Sequence, residues 1–60
     1  MDPDANLAEL CELARIIIEA DEDEVDAADA RRLAELVEAL DGWITGGGFL
    51  PARWRAGAVR

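Results

Sequence analysis

Histidine, lysine, serine and tyrosine are absent from this chain, and Cys11 and Thr45 are its only cysteine and its only side-chain hydroxyl. Those absences remove the usual nucleophile and base pairs, so any catalysis would fall to carboxylates. Pairs such as Glu9 with Glu12, or Glu35 with Glu38, stand three apart on helix faces expected to be exposed, where water keeps both members ionised. We therefore expect no enzyme, no catalytic residue and no cofactor. One cysteine forms no internal disulfide and, without histidine, no structural zinc site. Cys11 itself falls on an apolar stripe and reads as a small inert core group.

Basic charge is also scarce: 14 acidic residues face 6 basic ones, all arginine, for a formal net charge of −8. A phosphate backbone is bound by clustered basic side chains that release counterions, so direct nucleic-acid binding is not expected. An anionic membrane surface is disfavoured for the same reason. No run approaches the roughly 20 apolar residues of a membrane span, and the acidic segment MDPDAN lacks the layout of a signal peptide. The expected location is cytoplasmic. A self-repelling body of this charge should be weakened at low ionic strength and relieved by chloride.

The apolar content, 52% of 60 residues, is nonetheless too high for a disordered acidic tail. It is arranged in two helical stripes. Asp2 and Pro3 form a helix start, with Asp4 placing negative charge at the positive end of the helix dipole. Leu7, Leu10, Cys11, Ala14, Ile17 and Ile18 then recur at steps of three and four, which predicts a first helix over about residues 3–20. Leu13 and Ile16 fall outside that stripe and imply a second neighbour.

The acidic run Asp21 to Asp26 is the expected turn. Asp26 can cap a second helix, with Asp29 in capping-box position and Val25 placed to staple against Ala30. Asp21, Asp23 and Val25 mimic the first odd-numbered ligands of a calcium loop. Asp26 stands at the required glycine and Arg32 at the bidentate glutamate, which excludes that motif, and no metal ligand set is expected.

Leu33, Leu36, Val37, Leu40, Trp43 and Ile44 continue on one stripe, predicting a second helix over about 27–45. The rhythm passes through Gly42 at a cost of about 1 kcal/mol relative to alanine. Gly46, Gly47 and Gly48 form the expected turn over 46–48. Phe49, Leu50, Pro51 and Trp54 then form an aromatic segment over 49–54. It serves either as a latch folded back over Trp43 and Ile44 or as an exposed recognition site, with the latch favoured. Pro51 to Trp54 is expected to make one helical turn and 55–60 to fray.

Helices of matched length joined by a short turn predict an all-α domain, an antiparallel two-helix hairpin. So small a domain needs a staple, and with disulfide and metal excluded self-association remains. A homo-oligomer, preferably a dimer forming a four-helix bundle, follows, with interaction and core residues Leu7, Leu10, Ala14, Ile17, Leu33, Leu36, Val37, Leu40, Trp43 and Ile44.

The stretch Leu40-Asp41-Gly42-Trp43-Ile44-Thr45-Gly46-Gly47-Gly48-Phe49-Leu50-Pro51-Ala52-Arg53-Trp54 resembles a group of short, uncharacterised acidic proteins of actinobacteriophages and their hosts. Those end in a Leu-Asp-x-Trp-Leu-x-x-Gly-Gly-Phe-Leu-Pro-x-x-Trp pattern. Gly42 and Ile44 depart from it, standing where a helix former and Leu are expected. The resemblance implies a small phage-encoded helical protein in the cytoplasm of an infected host cell, and no activity. The function expected is a protein–protein interaction module that binds its own copies and a host or phage protein. The alternative is an acidic DNA mimic, which would need its carboxylates gathered on one face.

Overall fold

A computed structural model describes residues 1–58. Among these residues three helices form: α1 (Pro3–Glu19), α2 (Ala27–Thr45) and α3 (Ala52–Ala58), with a 3₁₀ turn at Glu22–Glu24 between the first two. The domain is all-helical among the described residues, and its two long helices pack against each other as a hairpin.

Local chemistry accounts for the boundaries. The Asp2 carboxylate accepts hydrogen bonds from the amides of Asp4 and Ala5 at 3.0 and 3.1 Å, while Pro3 gives up no bond at the first helical position. α1 ends where Ala20 turns extended and its amide closes on Ile16 and Ile17. Asp26 caps α2 through the Ala28 amide at 2.8 Å. α2 then runs unbroken through Gly42, where an added Cβ would meet nothing within 4 Å.

α2 closes in a Schellman motif. The Gly48 amide donates to the Trp43 carbonyl at 2.8 Å and the Gly47 amide to the Ile44 carbonyl at 3.1 Å. Gly47 sits at φ 97°, the left-handed conformation that favours glycine. Gly48 is required for a different reason: a Cβ there would overlap the indole of Trp43, which lies directly on its backbone.

The C-terminal segment differs from expectation. Instead of one turn followed by a frayed tail from Arg55, α3 continues to Ala58. The Arg55 amide donates to the Pro51 carbonyl at 3.1 Å, and Ala52, Arg53, Arg55 and Ala56 are good helix formers that carry the turn onward. The part of that expectation falling on residues 59 and 60 lies outside the described residues.

The core is small. Among the described residues Leu7, Leu36 and Leu40 are its buried apolar side chains, and Pro3 and Pro51 are more completely buried still. Four of these five are in the N-terminal half of α1, the C-terminal half of α2 or the segment entering α3. Packing is therefore concentrated at the end of the hairpin away from the acidic turn.

Candidate interaction surface

The geometry of that end follows from how the chain returns after the glycines. Trp43 donates its indole N–H to the Phe49 carbonyl at 2.9 Å, and the Phe49 ring meets the indole edge-on with centroids 5.4 Å apart. This fixes the direction in which the chain leaves the turn. Pro51 then carries it into the hairpin's open end, where the proline is buried.

Pro51 precedes α3 and has no side-chain acceptor to offer the helix's first amide. Asp4 supplies one from α1: the Ala52 amide donates to its carboxylate at 2.7 Å. One residue on, Arg53 donates to Cys11 Sγ at 3.2 Å, so the half-buried thiol is a polar contact as well as a packing group. Arg55 stands 5.8 Å from the Phe49 ring centroid, a cation–π contact. α3 thus touches α1 through Asp4 and Cys11.

Trp54 forms one wall of an apolar cleft of about 340 Å³, completed by Leu10, Val37, Leu40, Asp41 and Ile44. Asp41 is the only charged residue among those walls. Trp54 remains 42% exposed, Val37 47% and Phe49 54%, so the aromatic segment covers the hairpin end while leaving much of its own apolar area in water. Leu50 is half-buried.

The other anticipated interaction residues divide clearly. Leu7, Leu36 and Leu40 are buried; Leu10, Ala14, Ile17, Leu33, Trp43 and Ile44 are half-buried; Val37 is exposed. Ile18, expected on the packed stripe of α1, is 81% exposed. It stands at the edge of that stripe, two turns beyond Cys11, and α3, which covers this edge near Cys11, does not reach so far. Leu13 is half-buried and Ile16 is 42% exposed, so the widened apolar face is only partly covered.

One tie between the long helices had no signal in the periodicity. Arg32 of α2 donates to both carboxylate oxygens of Glu9 of α1, at 2.7 and 2.9 Å. Such a bidentate pair is geometrically specific. The hydrogen bond from Arg32 holds the Glu9 carboxyl below its ordinary range, and the same bond raises Arg32. The other ion pairs, Arg15 with Glu12 and Glu19 and Arg31 with Glu35, are exposed contacts along single helices. Asn6 Oδ1 is a buried polar atom without a hydrogen-bond partner.

At the acidic turn Asp21, Asp23 and Glu24, all exposed, bring carboxylate oxygens within 4.8 Å of one another. No helix among the described residues is long and apolar enough to cross a membrane. Comparison with protein-family models, curated proteins and solved structures finds no match.

Proposed function

We propose that this chain is a non-enzymatic interaction module that works by self-association, as a dimer, through the apolar helix surfaces a single hairpin leaves open. Its extent in space carries the reading. The radius of gyration is 13.0 Å, whereas a compact 60-residue domain has about 10 Å. The accessible surface is 4399 Å², against about 3,800 Å² for a folded monomer of this mass. A single layer of helices buries one face of each element and leaves the opposite face wet, and stable domains are built from two layers.

A second copy supplies the second layer. The resemblance to short acidic phage proteins supports reading the module as an accessory bacteriophage protein of the host cytoplasm, with a host or phage protein as a further partner. The dimer is tested by light scattering and by thermal melts over a hundredfold dilution. A dimer mass with a melting temperature that falls on dilution supports the reading. A monomer with a cooperative, dilution-independent melt overturns it.

A further inference from the structure

The two sides of the hairpin are not equally covered. Cys11 and Ile18 are seven residues apart on α1 and therefore share one edge of that helix, two turns apart. α3 reaches this edge at Cys11, through Arg53, and its Trp54 faces Val37 and Ile44 of α2 across a shared apolar cleft. It thus covers the half of this side that is nearest the glycine turn. Toward the acidic turn the same side is bare, with Ile18 at 81% exposure and Val37, at the boundary, at 47%.

Charge is uneven along the same axis. Asp21, Glu22, Asp23, Glu24 and Asp26 crowd the acidic turn, whereas α3 carries Arg53 and Arg55 and no acid, with Asp4 and Asp41 as its acidic neighbours on the long helices. Among the described residues neither Arg53 nor Arg55 makes an ion pair. The acidic turn and α3 stand at opposite ends of the hairpin, since α3 is tied to Asp4 near the start of α1.

From this division we propose that a second copy packs antiparallel on the α3 side, about a two-fold axis, so that each α3 fills the half the other copy leaves bare. This rests on the self-association reading above and gives it a face and a direction. In this arrangement Ile18 of each copy lies beneath the other's α3, and Arg53 and Arg55 of each meet the other's Asp21 to Asp26 turn. The interface is isologous, as a closed dimer requires. A parallel arrangement would set α3 against α3 and the acidic turn against its like, leaving Ile18 uncovered and opposing equal charges. The chain exposes about 600 Å² more than a folded monomer of its mass, which approaches the roughly 800 Å² per partner of a standard interface.

Charge reversal tests the direction. Arg53→Glu with Arg55→Glu makes one variant, and Glu22→Arg with Glu24→Arg the other, each checked for retained helix by circular dichroism. Each alone should dimerise at least about tenfold more weakly than the unmodified chain, and an equimolar mixture should recover the dimer as a heterodimer. Ile18→Asp, on an exposed position, should abolish the dimer without loss of helix. A dimeric unmodified chain whose variants are not rescued by mixing, or whose Ile18→Asp form still dimerises, overturns the antiparallel face alone. A monomeric unmodified chain overturns both this proposal and the self-association it rests on, leaving the surface to a foreign protein.

Discussion

The two ends of the hairpin are held by different kinds of force. At the acidic turn, Asp21 to Asp26, the chain reverses through a short 3₁₀ segment whose residues are all exposed, and the hydrogen bonds at this end are local. At the glycine end three segments converge. Pro3 and Pro51 are buried, Asp4 caps α3, and Trp43 is seated on Gly48 and against Phe49. A helix turn can thus be made by solvation and capping alone, whereas the return of a third segment requires side chains and backbone to fit one another. Stability should accordingly be unequal along the molecule, and substitutions should report which end they touch.

The largest difference is expected in the core. Leu40 is 3% exposed, and Leu40→Ala removes packing from the end where the core is concentrated. It should cost about 3 kcal/mol, enough to unfold most of a domain of marginal stability. Val25→Ala, at the half-buried position beside the acidic turn, should cost less than about 1 kcal/mol. Urea midpoints followed by circular dichroism separate the two. Comparable losses would show that the ends are energetically equivalent and would break the comparison.

The glycines sharpen it, because their substitutions should differ in sign. Gly48→Ala pushes a methyl into the Trp43 indole and should destabilise by about 1–3 kcal/mol, an overpacking cost. Gly42 has open space where a Cβ would stand and lies inside an unbroken helix. Gly42→Ala should therefore stabilise by about 0.5–1 kcal/mol. Denaturant midpoints check both. A stabilising Gly48→Ala would mean that the indole does not rest on that backbone in solution.

These positions also show where the sequence was readable. The two long helices were legible because their signals are local: Asp2-Pro3 and Asp26 at their starts, and the spacing from Leu33 to Ile44 that passes through Gly42. Leu7 and Leu40 could be assigned to a core because they lie near the centres of their stripes. Ile18 is expected on the packed stripe and is exposed instead, since periodicity says which edge of a helix a residue occupies but not how far along it a neighbour extends. The reach of α3 to Ala58, its cap from Asp4 and the Glu9–Arg32 tie all join residues distant in the chain, and local pattern carries no trace of such pairings. The lack of a side-chain acceptor at Pro51 was the one available hint that α3 needed help from elsewhere.

The smallest expected effect concerns the pair that bridges the helices away from either turn. Glu9 and Arg32 have side chains 46% and 52% exposed, so the pair is screened and modest. Its sign with pH is nonetheless definite. The Arg32 hydrogen bond lowers the Glu9 carboxyl below its ordinary range in the folded chain, while in the unfolded chain that restraint is gone. The stabilising contribution is therefore complete above the ordinary carboxylate range and is lost as pH falls through the lowered folded value. Glu9→Gln should melt at a lower temperature than the unmodified chain near neutral pH, and the two melting curves should converge in acid. Protonation of the other carboxylates affects both proteins alike, so the difference between them isolates the pair. A gap of the same size in acid as at neutral pH would show that Glu9 stabilises the hairpin through the packing of its stem and not through its charge.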